Sequence, residues 1–137
     1  MKSILKIFLL AFACLELTSC KKDTAVTILG KWNIINDSKT FGIGPNIQYQ
    51  NYIGVPGDHF DFRTDGNLYI KEGVNLDTLS YTIYPDNKIT IASFGWVVNG
   101  VNIMSDIISL TSHLATIHAP NINNPGGVYE RTLNLSR

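Results

Sequence analysis

The sequence predicts an all-β domain, an antiparallel up-and-down β-barrel of about eight strands, preceded by an export segment. Three observations predict it. From Ile28 onward apolar residues alternate with period two in short runs. Clusters of Gly, Pro, Asn and Asp interrupt those runs at close intervals. No stretch sustains helical periodicity.

The export segment comes first. Lys2 and Lys6 give a positive start, and Ile7–Leu15 is an apolar run of signal-peptide length. A membrane-spanning helix needs about 20 apolar residues, so this run is too short for one. It ends in Leu17-Thr18-Ser19-Cys20, which resembles the bacterial lipobox: an aliphatic residue, two small ones, then cysteine. The resemblance implies cleavage after residue 19, diacylglycerol on the Cys20 sulfur and acylation of the new amine. Two or more acyl chains anchor a protein stably, whereas one holds it only marginally. The competing reading is an ordinary secretory signal with an incidental cysteine. Lys21, rather than aspartate, follows Cys20, which resembles lipoproteins sorted to the outer membrane. The chain thus divides into a signal peptide (1–19), a lipidated tether (20–27) and a β-domain (28–137).

The strands follow in order. Leu29–Ile35 forms the first, with Ile28, Trp32 and Ile34 on one face. Thr40–Pro45 is Gly/Pro-rich and reads as a loop, and Ile47–Ile53 as a weaker strand before Gly54–Gly57 breaks the chain. The clearest hairpin joins His59–Arg63 to Asn67–Lys71 across Thr64-Asp65-Gly66, with Phe60, Phe62, Leu68 and Ile70 inward. A second joins Leu79–Tyr84 to Lys88–Ser93 across Pro85-Asp86-Asn87. Residues 94–104 read either as an extension of that strand or as an apolar loop. A third hairpin joins Ile107–Thr111 to Leu114–His118 across Ser112-His113. After the loop Ala119–Gly127, Val128–Leu135 closes the domain.

Composition mostly excludes. Basic and acidic residues balance at 11 each, which argues against a nucleic-acid surface. The two cysteines, Cys14 and Cys20, both fall in the processed region, so no thiol remains in the domain for a disulfide, a nucleophile or a metal. The 118 residues left after cleavage are enough to build a core without a disulfide.

Leu29-Gly30-Lys31-Trp32 resembles the Gly-x-Trp signature of the first strand in lipocalins and in lipocalin-like domains of bacterial lipoproteins. Phe60–Gly66, Tyr81–Asn87 and Tyr129-Glu130-Arg131 are similar to later segments of the lipoprotein subgroup. The resemblance spans Gly30 to Arg131 and implies a lipocalin-like barrel. It also implies a structural pair at the closed end, Arg131 stacked on Trp32. Alternation separately places Arg131 on a face with Tyr129, Leu133 and Leu135, where a guanidinium needs a π surface.

Nothing in the sequence assembles a catalytic set. His59, His113 and His118 are dispersed, and the last two fall on opposite sides of a regular strand. Asp58, Asp61, Asp65, Glu72, Asp77 and Asp86 fall at strand ends and turns, where carboxylates cap backbone amides. Asp61–Asn67 lacks the spacing and terminal Glu of a calcium loop. The reading is therefore a non-enzyme with no cofactor and no metal. The candidate ligand-lining residues are Phe60, Phe62, Tyr81, Trp96, Tyr129 and His118, the last placed inward with Leu114 and Thr116. An eight-stranded barrel either fills with side chains or holds one small ligand. The leading expectation is a lipid-anchored barrel that binds a small apolar or amphipathic molecule in the cell envelope. The alternative is a filled barrel whose loops, including Gly42–Pro45, Phe94–Met104 and Ala119–Gly127, dock another envelope protein.

Overall fold

The alternating runs fold as strands that each turn one face inward. The computed structural model describes residues 26–95, 97, 98, 100–121 and 127–137; the signal peptide, Cys20 and Trp96 lie outside the described residues. The strands are β1 (Gly30–Gly42), β2 (Gln48–Ile53), β3 (His59–Phe62), β4 (Asn67–Glu72), β5 (Asn75–Tyr84) and β6 (Lys88–Ile91). There follow β7 (Val97–Val98), β8 (Val101–Asn102), β9 (Ser105–Leu110), β10 (Leu114–Ala119) and β11 (Val128–Ser136). Among the described residues the only helical element is one 3-10 turn, Gly44–Asn46.

β1, β3, β4, β5, β6, β9, β10 and β11 pair antiparallel in chain order, and β11 returns to β1. The sheet is therefore a closed eight-stranded barrel with up-and-down connections. β7 and β8 form a separate two-stranded ribbon between β6 and β9. β2 runs beside the second half of β1 and pairs with no other strand among the described residues.

β1 is the main departure from the sequence pattern. It runs through Thr40-Phe41-Gly42, which the Gly/Pro content predicts as loop. Partners on both edges carry it further: Phe41 faces Tyr129 of β11 on one side and Gln48 of β2 on the other. A register shift between Ile34 and Asn36 marks a β-bulge. Before it Trp32 and Ile34 are buried; after it the buried position is Asp37. One inserted residue has reversed which parity faces the lumen.

β2 and β3 lie end to end along one edge of β1, which they join at Asn36 to Ile53 and at Asn33 to His59. Gly54–Asp58 loops out between them. Gly54 passes so close to β1 that a Cβ there would meet the Ile34 carbonyl oxygen at 2.0 Å. Only glycine fits that approach. Because β3 pairs with β4 but β2 does not, the wall has a seam between β2 and β4.

One end of the barrel is narrow. Its turns are short, and Asp86 (φ 59°) and Asn87 (φ 57°) occupy the left-handed centre of a type I′ turn closed by Lys88 N–H to Pro85 O at 3.4 Å. The Trp32 indole is fully buried here and donates to Ile28 O at 2.6 Å. The cation over its ring is Arg137, at 3.7 Å. Arg137 also donates to the carbonyls of Thr27 (2.8 Å) and Leu29 (3.0 Å), tying the last residue to the chain before β1. The expected Trp32–Arg131 pair does not form. Arg131 faces Lys39 in the β1–β11 register, seven positions along β1 from Trp32, whereas Ser136 faces Asn33 beside the indole.

The middle of the barrel is packed. Trp32, Phe60, Phe62, Leu68, Ile89, Ile91, Ile117, Leu133 and Leu135 are essentially sealed from solvent. Each such side chain contributes about 1.5–3 kcal/mol on burial. The lumen is filled over this span.

Candidate functional site

The other end of the barrel gathers the remaining connections: Ile43–Ile47, Gly54–Asp58, the two-residue turn Gly73–Val74, residues 92–104 and the β10–β11 connection. The described parts of the three loops singled out from the sequence lie on this side. Below them, the inward residues of β1 and β11 come in facing pairs: Phe41 with Tyr129, Lys39 with Arg131, Asp37 with Leu133.

Asp37 is fully buried, and a buried carboxylate is stable only with compensating charge and hydrogen bonds. Arg131 supplies both. Its Nε donates to Oδ1 at 2.9 Å and Oδ2 at 3.1 Å, and its Nη2 to Oδ2 at 2.5 Å. Lys39 Nζ adds a contact to Oδ2 at 3.2 Å. The Arg131 guanidinium lies 4.2 Å over the ring of Phe94, the desolvated arrangement in which cation–π attraction is strongest.

Phe94 is placed by the turn after β6. Ser93 takes a positive φ of 58°, its N–H held by Asn102 Oδ1 at 3.1 Å, and Phe94 N–H donates to Ile91 O at 3.1 Å. The Phe94 ring thereby drops into the lumen and is fully buried. Tyr129 O–H donates to Phe94 O at 2.8 Å, and burial pushes the Tyr129 pKa up, keeping it protonated for that role. Phe94 with the Asp37–Arg131 pair makes a floor.

Above the floor lies an open cup of about 230 Å³. One wall carries Lys39 and Arg131; the other, from the β4–β5 hairpin, carries Ile70, Glu72, Asp77 and Leu79. Ile70 faces Asp77 and Glu72 faces Asn75 across that hairpin, which sets Asp77 one step and Glu72 two steps above the apolar pair Leu68–Leu79. The cup is narrower than the 300–1,000 Å³ common for drug-sized ligands.

A second polar knot fastens the seam. The buried carboxylate of Asp58 accepts from Tyr52 O–H (2.5 Å), Val55 N–H (2.9 Å) and Gly73 N–H (2.8 Å). The Tyr52 hydroxyl and the Val55 amide hold the Asp58 pKa below the usual carboxylate range. The same hydrogen bond pushes the Tyr52 hydroxyl up to about 12.

Of the residues predicted from sequence to line a ligand, Trp96 lies outside the described residues and the other five divide three ways. Phe60, Phe62 and Tyr81 face inward but are packed core below the floor. Phe62 meets Tyr81 edge-on at 5.3 Å between ring centroids, and Tyr81 O–H donates to Arg63 O at 2.7 Å. Tyr129 braces the floor through its hydroxyl on Phe94 O, whereas the cup itself is lined by Lys39, Arg131, Ser93 and the β4–β5 residues. His118 does not reach the site, which corrects the inward placement: Ala115, Ile117 and Ala119 are the buried residues of β10. His118 lies on the outer wall beside Thr132 Oγ1 (3.1 Å) and Glu130 (3.6 Å). Sequence reasoning missed Asp37, Lys39 and Phe94. The bulge hid the first two, and Phe94 lay in the stretch left between strand and loop.

Among the described residues no three His, Cys, Asp or Glu side chains converge as metal ligands, and no helix is long and apolar enough to cross a membrane. A second depression, about 250 Å³, lies against Ile35, Asn36, Thr116 and Asn134. Its polar groups hydrogen-bond one another, Thr116 to Asn134 at 2.8 Å and Asn134 to Asn36 at 3.1 Å, so the mouth cup is the stronger candidate. No protein-family model, curated protein or solved structure matches the chain.

Proposed function

We propose that this chain is a membrane-tethered barrel lipoprotein, lipidated on Cys20, that holds a small amphipathic molecule in the cup at its open end, without catalysis. The supporting observation is the floor. A fully buried carboxylate, a clasping arginine and a plugging phenylalanine close the lumen at one level and leave a space that is apolar at Ile70 and Leu79 and charged around them. Ligand sites have this mixture of apolar lining and a few placed polar groups. The ligand rests on the floor rather than threading the barrel, because Phe94 and the core beneath it fill the lumen. The lipobox and the lipocalin-like motifs support the tether and the envelope setting, with the outer membrane as the expected location.

Native mass spectrometry of protein extracted gently from membranes tests both halves. The expected result is a chain starting at residue 20 with diacylglycerol mass added, together with a small non-covalent adduct. A mature chain without lipid overturns the tether, and a lipidated chain that is always bare overturns the cup.

A second reading, a docking module for another envelope protein, is favoured by β2. Among the described residues its outer edge is unpaired, and Tyr49 (80%) and Ile53 (60%) are exposed on it. Unpaired edges are templates for strand addition. A photo-crosslinking residue at position 49 that captures a single envelope protein would support this reading over the first.

A further inference from the structure

The two walls of the cup carry opposite charges that do not meet. On the β1–β11 wall two cations share one carboxylate, because Arg131 and Lys39 both contact Asp37. Arg131 spends its Nε and Nη2 on that carboxylate. Lys39 spends one contact, and its side chain is 29% exposed toward the mouth. An ammonium has three donors, so Lys39 is the wall's available cation. On the β4–β5 wall, Asp77 Oδ1 accepts only the next amide, Thr78 N–H, at 2.7 Å. Neither Glu72 nor Asp77 has a cation within ion-pair distance among the described residues. The cup therefore offers one surplus positive charge facing two uncompensated negative ones, with Ile70 and Leu79 on the same wall as the carboxylates.

We propose that the ligand is a zwitterion of amino-acid size, its anionic group on Lys39, its ammonium group on Glu72 and Asp77, and its apolar part on Ile70 and Leu79. This rests on the cup being the binding site, as proposed above. A singly charged anion is disfavoured by the acidic wall, and a long acyl chain by the Phe94 floor. A zwitterion satisfies both walls, and hydrogen bonds to charged groups are the strong ones in a half-enclosed site. Free amino acids and phosphoethanolamine-type head groups share this chemistry, and separate probes tell them apart.

The test is nuclear magnetic resonance titration of the mature lipoprotein in detergent with L-leucine, glycerophosphoethanolamine, N-acetyl-L-leucine, L-leucine amide and decanoate. L-leucine or glycerophosphoethanolamine is expected to shift the amides around Lys39 and Asp77, and whichever does so identifies the source. The singly charged analogues are expected to bind at least about tenfold more weakly, the loss of one charged hydrogen bond. Asp77→Asn, at a site open to solvent, is expected to weaken binding similarly while leaving the melting temperature in place. Lys39→Gln, which also removes a contact to the buried Asp37 carboxylate, is expected to weaken binding similarly with a small fall in melting temperature. If N-acetyl-L-leucine, the amide or decanoate binds as tightly as the zwitterions, the inference falls and the cup reading stands. If no probe shifts the cup amides, the inference falls. The cup reading falls with it only if the membrane-extracted protein also carries no adduct.

Discussion

Arg131 and Asp37, 94 positions apart in the chain, make three contacts between a guanidinium and a fully buried carboxylate. The pair spans β11 and β1, the two strands whose meeting closes the barrel, so it reports on closure itself.

Removing one partner leaves the other charge stranded. Asp37→Asn is expected to lower unfolding free energy by about 3–5 kcal/mol, the cost of an uncompensated buried charge. The double variant Asp37→Leu, Arg131→Met is expected to lose less than Asp37→Asn alone. Urea denaturation of wild type and the two variants checks this, and a double variant that loses as much as Asp37→Asn or more would contradict it.

At the narrow end, Arg137→Ala removes a cation over Trp32 and two hydrogen bonds to Thr27 and Leu29. A loss of about 1–2 kcal/mol is expected. In a Trp96→Phe background, Trp32 fluorescence is expected to change with Arg137→Ala and to stay unchanged with Arg131→Ala.

The Asp58 knot gives two pH limits. The Asp58 pKa is depressed in the fold from its ordinary value of 3.8, so its contribution is present above that value and is lost as pH falls through the lowered folded one. The Tyr52 pKa is raised from 10.0 to about 12, so its contribution is present below pH 10 and is lost as pH rises toward 12. Thermal melts across pH are expected to fall at both ends. Tyr52→Phe is expected to flatten the alkaline fall and Asp58→Asn the acid one.

Gly54→Ala is expected to destabilise by more than about 3 kcal/mol, because the added carbon collides with the Ile34 carbonyl. Gly44→Ala, where the space is open and only the φ of 54° is strained, is expected to cost about 1 kcal/mol. Equal melting temperatures for the two would refute the close approach.

The hairpins were legible because their turns carry their own chemistry: Gly66 at φ 81° and Asp86-Asn87 in left-handed conformation are where a short loop needs them. The inward faces of β3, β4 and β11 followed from alternation alone. The site did not, because alternation counts residues and a bulge inserts one. Counting on from Trp32 and Ile34 points Asn36 and Ser38 into the lumen, but the shift brings in Asp37 and Lys39. Arg131 was rightly placed on an apolar face yet given the wrong aromatic, since both Trp32 and Phe94 offer a π surface and only the β1–β11 register decides between them.

Between β2 and β4 the staves of this barrel are laced rather than welded. Among the described residues no backbone rung crosses there, and the carboxylate of Asp58 is the lacing, knotted at one end to the Tyr52 phenol and at the other to the amide of Gly73. At that seam the two edges are held by a side chain, whereas everywhere else around the barrel they are held by strand ladders.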